Sequence, residues 1–304
     1  MDLRQLEILK AVADTGSFTG AGRRLHVSQS AVSRQILLLE AELNEPLFWR
    51  IKRKVKITPA GEAILQLSIR VFDDIKETTA GITETQEKLT GTVRLVGGMT
   101  VSLYVFPTLL KEFRRLHPEV DVKVMTGSSD RLVRKLRSGA ADLGLLTLPI
   151  SEADLVTTPV MREEMMLVTY PSHPLAKKGR VEPQDLVRQP FVLYEPGSNT
   201  RRVVDEFFVK EAIQPRIVME TENVEIIKAM VRSGIGITLI SQQAVEREVR
   251  EGQLACCRVG GHTLVRETGW VYLKANRIPR KVDEMIRTLE KTLPKSPAMA
   301  AVAK

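Results

Sequence analysis

The chain has 304 residues, 43% of them hydrophobic, which is enough for two or three compact units with cores of their own. Its 45 Lys and Arg against 37 Asp and Glu leave a net charge of +8, a basic balance that favours a polyanionic partner. The start MDLRQLEIL has no signal-peptide core, no apolar run approaches membrane-spanning length, and the adjacent Cys256 and Cys257 give neither a disulfide framework nor a zinc spacing. A reduced, cytoplasmic protein with no membrane partner is the expectation.

The first helix is expected from Leu3 to Ala13, with Leu3, Leu6, Leu9 or Lys10, and Ala13 at helical spacing. A second short helix follows in SFTGAGRRLHV, capped by Ser17 with Phe18, Ala21 and Leu25 inward, and His26-Val27 turn the chain into Ser28. The third helix, SQSAVSRQILLLEAEL, repeats Val32, Ile36, Leu39 and Leu43 as one buried stripe. Its other face carries Gln29, Ser30, Ser33 and Arg34. Taken alone this is a solvated face; after a second helix and a tight turn it reads as the major-groove member of a helix-turn-helix. Between Arg50 and Lys56 five of seven residues are basic, and Ile51, Val55 and Ile57 alternate as in a strand. That run predicts a β-wing aimed at phosphates.

The order LxxLxxLxxVADTGSFTGAGRRLHVSQSAVSRQIxxLExEL, then PLFxR, a basic hairpin and ITPAGE, resembles the N-terminal region of LysR-type transcriptional regulators over about the first 65 residues. The resemblance implies an α/β multidomain protein. Its parts would be an N-terminal winged helix-turn-helix (1–58), a long dimerising linker helix (59–89) and a C-terminal periplasmic-binding-protein-like domain of two α/β subdomains (90–295). Subdomain I would take about 90–162 and 267–295, subdomain II about 163–266, and 296–304 would be a disordered tail. Ser28, Gln29, Ser30, Ser33 and Arg34 are the expected DNA contacts on the helix, and Arg50, Lys52, Arg53 and Lys54 those at the wing. Several residues depart from the family pattern. Asn44 stands at a helix end where glycine is common, Lys54 replaces a wing glycine, Trp49 takes a polar position, and Leu37 and Leu38 replace residues that are often charged.

Beyond the wing, Thr58 caps, Pro59 sits at the first helical position and Glu62 lies in the first turn. Val71, Ile75, Thr78, Ile82, Thr85 and Leu89 alternate four- and three-residue steps, the seam of a two-helix coiled coil that a second chain would cover. From Gly91 strands and helices alternate, predicting parallel sheets covered by helices on both faces, with ligands at the strands' carboxyl ends. FPxLLxxFxxxHPxV, SGxxDLGL, HPLA and VxxGxGITLI match the family's sensor domain. The resemblance places crossovers near Arg162 to Met166 and near Arg266 to Thr268. It also places a small polar or anionic inducer against Gly98, Thr100, Ser128, Ser129, Thr147, Asn199, Thr200 and Thr221. Arg201 and Arg202 are nearby cations that point either to ligand or to solvent.

No cofactor, metal or enzyme chemistry is expected. His26, His117, His173 and His262 lie in separate segments, there is no GxSxG elbow or phosphate loop, and Gly234-Ile235-Gly236 reads as a helix C-cap. The expected partners are double-stranded DNA, a small-molecule inducer, further copies of the chain (a dimer or a dimer of dimers) and RNA polymerase. The alternative is a solute-binding protein with an unrelated role for the N-terminal region.

Overall fold

The computed structural model describes residues 1–51, 54–82, 89–261, 264–274 and 278–292. They fall into two compact units, the first made of the described residues up to 82 with Ser138–Ala140, the second of the described residues from 89 onward apart from those three. The tail at 296–304 and His262 lie outside the described residues.

In the first unit, α1 (Leu3–Thr15) opens with a capping box. The Asp2 carboxylate accepts from the Gln5 N–H, and the Gln5 side chain accepts from the Asp2 N–H. Its buried face is Leu6, Ile8, Leu9 and Val12, whereas Leu3 is exposed, so the helix is turned from the face that its spacing suggested. Next, α2 (Phe18–Leu25) is capped by Ser17, whose hydroxyl accepts from the Gly20 N–H, and ends at His26 with φ 55°. In α3 (Gln29–Leu43), Ser28 accepts from the Ala31 N–H at 3.1 Å, and Val32, Ile36 and Leu39 are wholly buried. Burying each such side chain contributes about 1.5–3 kcal/mol. The helix ends at Asn44, whose φ of 52° is the left-handed conformation that asparagine tolerates.

The strands β1 (Phe48–Ile51) and β2 (Lys54–Ile57) pair antiparallel as the wing. Thr58 then starts α4 (Pro59–Ile82): its hydroxyl donates to the Pro46 carbonyl at 2.6 Å and accepts from the Gly61 N–H at 2.9 Å. Ser68, fully buried, donates to the Leu6 carbonyl and ties α4 to α1. Of the expected seam, Val71 is half-buried and Ile75 exposed, while Thr85 and the side chains of Thr78 and Ile82 lie outside the described residues. Leu89 corrects the expectation. It is buried in the core of the second unit rather than placed on a seam.

The second unit begins with β3 (Gly91–Gly97), α5 (Met99–Tyr104), α6 (Phe106–Leu116), β4 (Val120–Thr126), α7 (Ser129–Arg137) and β5 (Leu143–Thr147). It continues with β6 (Leu155–Thr169), β7 (Arg180–Val181), β8 (Pro190–Leu193), α8 (Asn199–Lys210), β9 (Arg216–Glu220) and α9 (Val224–Arg232). Last come β10 (Thr238–Ser241), α10 (Glu246–Arg250), β11 (Ala255–Val259), β12 (Val265–Leu273) and α11 (Arg280–Thr292). The expected all-parallel sheet is replaced by a mixed one. β3 runs parallel to β4 and β5, but β12 is antiparallel to both β5 and β6, and β10 and β11 are antiparallel to β6.

The long strand β6 explains the architecture. From Leu155 to Glu164 it pairs with β12, and from Met165 onward with β10 and β11. It therefore leaves one lobe for the other in mid-strand. The first lobe packs its core around Trp270, Phe106 and Phe113, and the second around Phe191, Phe207 and Phe208. Gly234, with φ 76°, follows the end of α9 as expected of a C-cap glycine. No described helix is long and apolar enough to cross a membrane.

Candidate DNA-reading surface and effector cleft

On the first unit, the outer side of α3 forms a shallow groove lined by Ser28, Ser30, Ala31, Arg34, Gln35 and Leu38. Ser28 and Ser30 share a hydroxyl–hydroxyl bond of 2.9 Å, and Arg34 is exposed. Gln29 is exposed on the first turn and Ser33 half-buried, and neither lines the groove. Leu37 and Leu38 are both about half exposed, at 52% and 49%. Sequence reasoning passed over Ala31 and Gln35 as groove residues, although Ala31, three residues before Arg34, shares its face of the helix. Of the expected wing contacts, Lys52 and Arg53 lie outside the described residues, as do the side chains of Arg50 and Lys54.

In the second unit a cleft opens between the lobes. Of the expected effector contacts, Gly98, Thr100, Ser128, Ser129, Thr147 and Thr200 line it, together with Tyr194, Glu195, Ser198, Glu222 and Arg266. Thr221 and Asn199 do not. Thr221 accepts from the Asn223 N–H beside α9, and the Asn199 amide donates to the carbonyls of Thr147 and Pro149. The cleft hydroxyls are paired across the lobes. Thr100 bonds Tyr194 at 3.0 Å, Thr147 meets Thr200 at 3.5 Å, and Ser129 accepts from the Asn199 N–H at 3.2 Å. Burial holds the Tyr194 phenol above its ordinary pKa, so it keeps its proton.

Of the two crossover strands, β12 reaches the cleft with Arg266. Arg266 on β12, 2% exposed, places Nε and Nη2 on one oxygen of Glu163 on β6 at 3.2 and 2.6 Å. Its Nη1 reaches Thr200 at 3.4 Å, and Ser241 donates to the other Glu163 oxygen at 2.9 Å. This buried charge pair is the feature that sequence reasoning missed, because only tertiary pairing buries an arginine in an alternating strand. Arg201 does not line the cleft and is held by Asp205, Glu220 and the Tyr194 carbonyl. Arg202 donates to the Pro149 carbonyl. The space at Gly98 is open, with no atom beyond its chain neighbours within 4 Å of where a Cβ would stand, so a larger side chain would fit there. Among the described residues no group of three His, Cys, Asp or Glu could hold a metal ion.

Comparison with known proteins agrees with this geometry. Residues 3–62 match the family model of bacterial regulatory helix-turn-helix proteins of the lysR family, and residues 86–294 match the LysR substrate binding domain. The HTH-type transcriptional regulator CfxR of Cupriavidus necator is 33% identical over 278 residues, covering 91% of this chain and 87% of that protein. Full-length OxyR from Pseudomonas aeruginosa superposes with a TM-score of 0.76 at 24% identity, over 97% of this chain and 98% of the other. The regulatory domain of CcmR from Synechocystis, solved in complex with 2-PG, superposes with a TM-score of 0.63 at 23% identity, over 68% of this chain and 99% of the other. This chain belongs to the LysR family of bacterial transcriptional regulators.

Proposed function

We propose that the protein binds operator DNA sequence-specifically as a homo-oligomer in the cytoplasm and changes its grip when a small polar effector enters the cleft. It would act without catalysis. Residues 1–58 would hold the DNA-reading unit, 59–89 the dimerising helix and 90–295 the sensor, with RNA polymerase as a downstream partner. Ser30 and Arg34 would read base edges, with Gln29 and Ser33 beside them, while Ser28 sets the helix start. Arg50, Lys52, Arg53 and Lys54 would hold phosphates. In the sensor, Gly98, Thr100, Ser128, Ser129, Thr147 and Thr200 would contact effector, with Asn199 and Thr221 supporting the loops. The CcmR domain suggests 2-PG as the first effector to try.

The single observation that carries this reading is the groove on α3, where Ser30 and the exposed Arg34 lie on one face opposite a fully buried stripe. Arg34→Ala tests it. If Arg34 reads a base, specific affinity for the operator falls by about 1–3 kcal/mol while the salt slope stays nearly constant. An unchanged operator affinity, measured by fluorescence polarisation, removes Arg34 from the interface.

A further inference from the structure

The short helix α5 joins the two lobes at both of its ends. Near its start Thr100 bonds Tyr194 in the cleft. Tyr104, four residues on and so on the same face of the helix, reaches the second lobe outside the cleft lining. Its hydroxyl accepts from Lys228 Nζ at 2.7 Å and donates to Glu225. The ammonium also stands 5.2 Å from the centre of the Tyr104 ring. Met99 and Tyr104 pack on the second lobe's apolar cluster around Val224 and Ile227.

The receiving niche is built entirely from the second lobe. The Lys228 side chain is 5% exposed, and its ammonium also donates to the equally buried Glu248 at 2.8 Å and to the Ala244 carbonyl at 3.0 Å, with Glu225 at 2.9 Å. A buried ammonium is costly unless it is paired. Here it stays paired when Tyr104 withdraws, and water replaces what the phenol loses. The Arg266–Glu163 tie is of another kind, since it joins opposite neighbours on the paired strands β12 and β6 and stays made whatever the lobes do. A contact that leaves its own socket satisfied on release behaves as a reversible catch.

We propose that Tyr104 is a latch that, seated in the Lys228–Glu225 niche, holds the lobes of the sensor closed from outside the effector cleft. Parting of the lobes requires its release. The effector then acts on a closed-to-open balance that Tyr104 sets, and its apparent affinity follows that balance. Burial, aided by the Glu225 bond, pushes the Tyr104 phenol up to about 12, so the latch is a neutral phenol at physiological pH.

The inference rests on the two-lobed sensing function proposed above, and the two fail differently. Loss of DNA preference in the wild-type protein would overturn that function while leaving lobe distances interpretable. The test uses full-length protein with nitroxide labels at Arg114→Cys in α6 and Val209→Cys in α8, both exposed, in a Cys256→Ala, Cys257→Ala background. Dilution with unlabelled protein isolates distances within one chain, read by double electron–electron resonance. The background should give one narrow distance distribution. Tyr104→Phe, which keeps the ring and its packing, should raise the population at longer distances at least fivefold. Glu225→Gln should shift it the same way by less. An unchanged distribution in Tyr104→Phe overturns the latch. So does a lowered melting temperature with unchanged distances, which would make the hydroxyl merely stabilising.

Discussion

Thr100, Thr147 and Thr200 are each buried beside the cleft, and their hydroxyls bond to one another or to Tyr194 across the lobes. An effector therefore exchanges hydrogen bonds rather than filling unmet ones, and each exchange is worth only about 0.5–1.5 kcal/mol net. Selectivity then depends on which ligand atoms reproduce the donors and acceptors already there. The Lys228–Glu248 pair makes a sharper prediction at the same scale. Burial alone would raise the Glu248 carboxyl, but Lys228 and, more weakly, Arg247 hold it below its ordinary value of 4.5. On the lysine, burial is likewise outweighed by Glu248, Tyr104 and Glu225, and its pKa is raised above 10.5. A depressed carboxyl stabilises the fold fully above its unfolded pKa and loses that contribution as pH falls through the folded one. A raised ammonium stabilises below its unfolded pKa and loses its contribution as pH rises through the folded value. Both are in place between about pH 5 and pH 10. Glu248→Gln should cost about 3 kcal/mol at neutral pH. In thermal unfolding followed against pH, its deficit relative to wild type should shrink as pH falls below 4.5, where Glu248 of the unfolded chain takes up its proton before the folded carboxyl, held lower, does. A deficit that stays constant into acid would mean that the carboxylate's charge contributes nothing.

Among the elements, the helix-turn-helix shows how local chemistry fixes a turn. His26 takes the left-handed conformation after α2, and the chain folds back so closely that a Cβ on Gly22 would stand 2.7 Å from the Val27 carbonyl. Gly22→Ala should therefore cost about 1–3 kcal/mol, read by calorimetry as a lower transition temperature for the N-terminal unit while the sensor's is unmoved. No shift would mean that the turn yields without penalty. The same region was the most legible in the sequence, because a buried stripe at four- and three-residue steps and hydroxyl caps at Ser17, Ser28 and Thr58 are local signals. The sensor was legible only in part. Its helices α6, α7, α9 and α11 are amphipathic and long enough to show a period. The six-residue α5 shows none, and β8 and β11 sit in short apolar runs that periodicity cannot resolve. Leu89 fitted a heptad step yet belongs to a lobe core, since spacing alone does not say where a helix gives way to the next domain. In the cleft, small hydroxylated residues after strands were visible as a pattern. Tyr194, inside an apolar run, and Arg266, on a crossover strand, were visible only once strands far apart in the chain were paired.

For the whole molecule, the charge follows the division of labour. Residues 1–58 carry ten Lys or Arg against six Asp or Glu, and the basic run from Arg50 to Lys56 coincides with the wing strands. The sensor instead keeps its key charges in buried pairs, Arg266 with Glu163 and Lys228 with Glu248. One unit thus concentrates basic residues along its sequence, and the other holds buried ion pairs at its cleft and beside α9. The account stands or falls on sequence-specific DNA recognition. Its most direct test is a fluorescence-polarisation titration of the full-length protein on its own upstream intergenic DNA, with scrambled DNA as competitor and a salt series. The account predicts tighter binding to the upstream DNA by a factor on the order of 10³ or more, with an affinity that falls steeply as salt rises. Equal affinity for scrambled DNA, with no dependence on salt, would contradict it.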